Sequence, residues 1–194
     1  MCHLLRTGAG PTVPKRIVEL GAGDGTFMLR IARSFSRDWK SVEVILVDCK
    51  DAITNETRAG FKALGWQVES VAADVFDWLK QPDGQPADIM VANLFLHQFA
   101  ELQLAKLLDL AAKRTKLFAA CEPRRAAIPF ALSRMVGLIG CNAVTQHDAP
   151  LSVRAGFAGQ ELSALWPNQA HWRLQERSAH FFSQTFLAQQ IVAA

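Results

Sequence analysis

Residues 16–27 read RIVELGAGDGTF, an apolar run that closes on an acid and then breaks into glycines at positions 21, 23 and 25. Glycine loses more conformational freedom on folding than any other residue, so three within five positions imply a backbone that comes very near something. In an open parallel sheet ligands sit beyond the carboxyl ends of the strands, where the strand order reverses, and the loop leaving the first strand forms that crevice. A dinucleotide fingerprint would read G-x-G-x-x-G, but Thr26 stands where its third glycine belongs. Taken alone, the turn also suits an ordinary strand-to-helix connection.

Working outward from this turn, short apolar runs alternate with helical patterns, the order that yields a parallel sheet covered on both faces. Strands are expected at 16–20, at SVEVILVD (41–48), at WQVESVAAD (66–74), at ADIMVAN (87–93) and at KLFAACE (116–122), the last stopped by Pro123. Helices are expected over 25–36, over 53–64 with Gly65 as the stop, over a short piece after strand three, and over 100–112, where Leu104, Leu107, Leu108 and Ala111 share one face. SVRAGFAGQELSALWP (152–167) reads as one more helix ended by Pro167. HWRLQERSA and HFFSQTFLAQ then close the chain as an antiparallel hairpin at a sheet edge.

The chain has 194 residues, half of them hydrophobic and 20% charged, which suits one compact domain spanning 1–194 with an insertion at 123–150. The apolar stretch 126–144 is interrupted by Pro129 and Arg134, so it reads as a buried or lid segment rather than a membrane span. The amino terminus lacks the pattern of a secretory signal. Cys2, Cys49, Cys121 and Cys141 form no C-x-x-C pair, so no metal site is expected and the thiols read as reduced, in a cytoplasmic protein. A net charge of +3 without a basic block, and no tyrosine for base stacking, argue against a nucleic-acid partner.

VELGAGDGTF (18–27), Asp48 at the end of strand two, AADVFDW (72–78) after strand three and ANLFLHQF (92–99) after strand four together resemble the class I S-adenosylmethionine-dependent methyltransferases. The resemblance implies a Rossmann-like α/β fold: a seven-stranded, mostly parallel sheet with helices on both faces and a C-terminal antiparallel hairpin. It implies that Glu19 and the backbone at Gly21, Gly23 and Gly25 cradle the methionine part of S-adenosylmethionine. Asp48, which follows Gly25 by 23 residues, would meet the ribose hydroxyls. Asp74 and Val75 match the adenine contacts, although Asp74 equally suits a helix N-cap. Asn93 looks like the residue near the sulfonium, and equally like a turn former. NLFL differs from the N-P-P-aromatic signature of amino-group methylation on bases.

Methyl transfer to a hydroxyl is helped by a base, because a phenol with a pKa of about 10 is mostly neutral at physiological pH. His97, after strand four, and His147, before the last helix, are the candidates, each also readable as a structural histidine. The apolar 123–150 insertion would wall an acceptor pocket, with Arg124, Arg125, Arg134 and Arg154 available to an acidic group, or would simply be core. The resemblance is closest to small-molecule enzymes of quinone and polyketide pathways, which points to a small aromatic or apolar acceptor methylated at oxygen. Those proteins carry substrate-covering helices before the first strand, whereas fifteen residues precede Arg16 here, leaving open an uncovered site, a homo-oligomer or a missing segment. The alternatives are a cofactor-binding or partner protein without catalysis, and a nicotinamide-dependent oxidoreductase.

Overall fold

The computed structural model describes residues 1–82, 84–125, 156–179 and 182–191. His147, Arg134, Arg154 and all but the first three residues of the expected 123–150 insertion lie outside the described residues, as does the start of the expected 152–167 helix.

Seven strands form one sheet in the order β3-β2-β1-β4-β5-β7-β6. They are β1 (Arg16–Leu20), β2 (Glu43–Asp48), β3 (Gln67–Ala72), β4 (Ala87–Asn93), β5 (Thr115–Pro123), β6 (Trp172–Ala179) and β7 (Ser183–Gln190). β1 to β5 pair in parallel, β7 runs antiparallel to β5, and β6 antiparallel to β7. The expected mixed sheet with its closing edge hairpin is therefore the fold observed. The strand order reverses between β1 and β4, which puts the glycine turn at the switch point.

Side chains alternate across each strand, and the alternation sorts the core into two layers. On one face Ile17, Val44, Leu46, Ile89, Val91 and Leu117 pack under α1 (Cys2–Ala9), α2 (Thr26–Phe35) and α3 (Asn55–Ala63). On the other, Val18, Leu20, Met90, Phe118 and Phe186 pack under α4 (Val75–Lys80), α5 (Glu101–Ala112) and α6 (Glu161–Leu165). The central strands β1, β2 and β4 are thus apolar at consecutive positions, as strands covered on both faces must be.

Local signals set the boundaries. α3 ends at Gly65 (φ 72), where the Gly65 and Trp66 amides donate to the Lys62 and Phe61 carbonyls, closing the last turn in the manner glycine permits. Pro123 ends β5 as its last residue, opposite Ser183, where its missing N–H costs no ladder bond that the strand end needs. One expectation is corrected. The helix expected from 152 is short among the described residues: Gly156 packs against the Pro123 backbone and Gly159 has φ 60, so α6 begins only at Glu161. A helix that the sequence reading did not foresee, α1, packs Gly8 against Leu117 and Leu187, where any Cβ would crowd those side chains. No helix among the described residues is long and apolar enough to cross a membrane.

α5 offers a direct test of this layering, because Leu107 is fully buried while Leu102 is 88% exposed. Leu107→Ala is expected to lower unfolding free energy by about 2–5 kcal/mol in urea titrations, and Leu102→Ala by less than about 0.5 kcal/mol.

Candidate cofactor and active site

The glycine turn is tied to the end of β2 rather than floating above the sheet. The Gly21 and Ala22 amides both donate to the Val47 carbonyl, at 2.9 and 3.1 Å, and the Gly23 amide donates to Asp48 Oδ2 at 2.9 Å. Asp48 Oδ1 accepts from the Lys50 amide, so one carboxylate holds both turns. Asp24 Oδ1 accepts from the amide and hydroxyl of Thr26, which fixes the entry to α2 and, through those hydrogen bonds, holds the Asp24 carboxyl below its usual range.

The three glycines have different reasons. All have positive φ (69, 54 and 72°), a region that L side chains rarely adopt. At Gly21 a Cβ would collide with the ring of Phe95, and at Gly25 it would come within 2.8 Å of Leu46. Only at Gly23 would a Cβ meet nothing within 4 Å. Close approach of a ligand is therefore an explanation for Gly23, whereas Gly21 and Gly25 are already required by the protein's own packing.

Glu19 is the outstanding electrostatic feature. It is 2% exposed, and its Oε2 is buried without a hydrogen-bond partner among the described residues. Burial pushes its carboxyl well above the usual range, and the charges of Asp24 and Asp48 push it further in the same direction. An orphaned buried carboxylate beneath a turn that opens at Gly23 fits the ammonium of a methionine moiety, which would give the charge the partner it lacks. Asp48 fits a ribose diol, with an oxygen already anchored to the turn that would surround it.

By strand alternation Glu19, Asp48 and Asn93 share the α1–α2–α3 face at the carboxyl edge of the sheet. Asp74 caps α4, its Oδ1 accepting from the Phe76 and Asp77 amides at 2.8 and 3.2 Å, so the helix-cap reading is realised. The Val75 side chain is committed to the core at 7% exposure.

His97 belongs to a cluster that sequence reasoning missed. Its Nδ1 lies 2.8 Å from Oε2 of Glu122, a fully buried side chain at the end of β5. Glu122 also accepts the main-chain N–H groups of Phe95 and Leu96, both at 3.0 Å, and of His97 at 3.3 Å. One carboxylate thus orients both the loop leaving β4 and the imidazole on it. The signal was present: a glutamate inside a buried apolar run must have partners, and the loop amides are those partners. The same loop carries Phe95, whose ring lies against Gly21, so the His97–Glu122 pair sits two residues from the floor of the glycine turn. By alternation, however, Glu122 belongs to the α4–α5–α6 face, opposite Glu19 and Asn93.

A family model described as a methyltransferase domain matches residues 17–116. This is more than half of the chain, and it includes the glycine turn, Asp48, Asp74, Asn93 and His97. The chain belongs to that family and carries an S-adenosylmethionine-dependent methyltransferase domain of class I. The nicotinamide reading of the turn is set aside by that membership. No curated protein matches the sequence. Among solved structures, the methyltransferase domain of bacterial CtHen1-C is similar with a TM-score of 0.66 at 9% identity, over 97% of this chain and 94% of that one. Magnesium protoporphyrin IX methyltransferase from Synechocystis PCC 6803, solved with bound S-adenosylhomocysteine, gives 0.60 at 11% identity over 98% and 80%. An O-methyltransferase family protein from Burkholderia thailandensis gives 0.63 at 18% over 91% of this chain, which spans only 51% of that protein's length. At these identities the likeness is one of fold.

Because the folded state holds the Glu19 proton more tightly than the unfolded chain does, the associated stability is present at low pH and is lost as pH rises from about 4.3 through the folded value. Glu19→Gln keeps the neutral shape at every pH. The ligand-free variant is expected to melt with wild type near pH 4 and above it at pH 7; superimposable stability–pH curves would contradict a raised pKa.

Proposed function

We propose that this chain transfers the methyl group of S-adenosylmethionine to oxygen on a small aromatic or apolar acceptor, with His97 as the proton acceptor and Glu122 as its positioning residue. The observation that carries this reading is the 2.8 Å contact between His97 Nδ1 and a fully buried carboxylate, on a loop whose Phe95 packs against the glycine turn. Bound S-adenosylmethionine supplies an already activated methyl donor, so the protein's part is to align the acceptor, exclude water and move one proton.

In this reading the Glu19 carboxylate meets the cofactor's ammonium, the Gly23 backbone lies along its methionine part, and Asp48 takes the ribose hydroxyls. Asp74 turns its remaining oxygen toward the adenine amino group, and the Val75 main chain lines the ring. Asn93 stands beside the sulfonium. Glu122 accepts a hydrogen bond from His97 Nδ1–H and so fixes the tautomer whose Nε2 carries the free lone pair. Nε2 then takes the acceptor's hydroxyl proton as the oxygen attacks. The resemblance to quinone- and polyketide-pathway enzymes supports a phenolic or enolic acceptor, and the domain is proposed to span 1–194 as one unit.

Two measurements test this. S-adenosylmethionine and S-adenosylhomocysteine should raise the melting temperature of the chain by mass action, and Asp48→Ala should weaken that shift while the protein stays folded. With a phenol panel, His97→Gln should retain S-adenosylhomocysteine binding and lose about 10²–10⁴-fold in kcat. Its residual rate should climb with pH as the phenol itself ionises. Cofactor binding without transfer to any acceptor would favour a non-catalytic binding protein.

A further inference from the structure

The exit of β4 holds one residue in a backbone conformation that its side chain disfavours. Among the described residues, three that are not glycine have positive φ: Ser41 (55°), Leu94 (53°) and Asn168 (48°). Asparagine visits this region because its short polar side chain bonds the local backbone, whereas a bulky apolar residue there is an outlier. Leu94 is also 54% exposed and belongs to neither layer of the core. Exposure alone would say nothing, since Leu102 is more exposed on an ordinary helix. Exposure together with a disfavoured backbone sets Leu94 apart.

The hydrogen bonds of the loop show what enforces this conformation. The Leu94 amide donates to the Cys121 carbonyl at 2.9 Å, and the next three amides, those of Phe95, Leu96 and His97, all donate to the buried Glu122 carboxylate. Four consecutive N–H groups are thus held by the end of β5, and the chain bends at Leu94 to bring them there. Glycine would make that bend without a steric penalty. A leucine is instead held there, turned outward, by contacts strong enough to override its preference, and residues held in this way cluster where ligands are gripped.

Position says which ligand. Leu20 stands opposite Ala92, so the glycine turn and Asn93–Leu94 leave the sheet side by side from β1 and β4, about 4.8 Å apart at the strands. This is where the strand order reverses. Phe95 joins the two exits by laying its ring against Gly21, and His97 lies in the short 3₁₀ turn that follows, Leu96–Gln98. Leu94 therefore stands between Asn93 and the histidine, beside the glycine turn. We propose that Leu94 is a specificity-determining residue, its outward side chain packing on an apolar substituent of the acceptor ring. That the molecule so held is a methyl acceptor rests on the methyltransferase reading; that an apolar group is held there does not.

The probes are phenol and 4-propylphenol, each titrated calorimetrically into protein saturated with S-adenosylhomocysteine. Wild type is expected to bind 4-propylphenol about tenfold or more tightly than phenol, the effect of burying part of a three-carbon chain. Leu94→Asn, whose side chain accepts positive φ, should keep the fold and the S-adenosylhomocysteine affinity and lower that ratio to about threefold or less. Leu94→Met should restore most of it. A leucine with only a structural role would change the affinity for both phenols alike and leave the ratio intact. Should Leu94→Asn fail to fold, Leu94→Ala removes the same apolar surface and is read in its place. Failure of wild type to bind S-adenosylhomocysteine would count against the cofactor reading alone, and the same ratios would then be expected from titrations of the ligand-free protein. Binding of neither phenol, a wild-type ratio near one, or a ratio that survives loss of the leucine would overturn the proposal.

Discussion

A carboxylate buried without a partner is the constraint around which the carboxyl edge of this sheet is organised. Removing Glu19 from water costs free energy that nothing among the described residues returns, since Oε2 finds no donor there and its charged neighbours, Asp24 and Asp48, share its sign. A fold tolerates such a group when the surrounding packing is strong. Here β1 is flanked by β2 and β4 and covered on both faces, with Ile17, Val18 and Leu20 at 0–1% exposure. The stability invested in the central strands is what allows a destabilising residue to stand at their ends, and in the proposed reading the cofactor's ammonium would relieve it.

The rest of the crevice follows from that placement. β1 must be left sharply at its carboxyl end if a ligand is to reach Glu19, and the turn that does so takes positive φ at alternate residues. Asp48 steadies it by accepting the Gly23 amide, and Phe95 supports it from below. Because Phe95 shares its loop with His97, and Glu122 accepts three consecutive amides of that loop, the glycine turn and the histidine are parts of one hydrogen-bonded and packed assembly.

Much of this was legible in the chain. Runs such as VEVILVD and DIMVAN can only be strands covered on both sides, and once they alternate with helices the glycine turn falls at the switch point. Asp48, Asn93 and His97 were singled out because each lies at or just past the end of a recognisable strand. What stayed hidden was long-range. Glu122 reads as a strand end before proline, and its partners lie 25 to 27 residues away across a strand pair. The helix α1 was missed because LLRTGAG carries two glycines, and Gly8 makes sense only once Leu117 and Leu187 are seen against it. The roles of Gly21 and Gly25 were legible as glycines but not as packing requirements, since Phe95 and Leu46 are distant in sequence.

The claim that most of this depends on is that the cofactor's ammonium comes to rest on Glu19 and draws it into its charged form. Calorimetric titration of S-adenosylhomocysteine at pH 5.5, in two buffers of different ionisation enthalpy, measures that directly. The account predicts net proton release on binding in wild type and none in Glu19→Gln. Tight binding with no proton exchanged, or with the same release from both proteins, would contradict it.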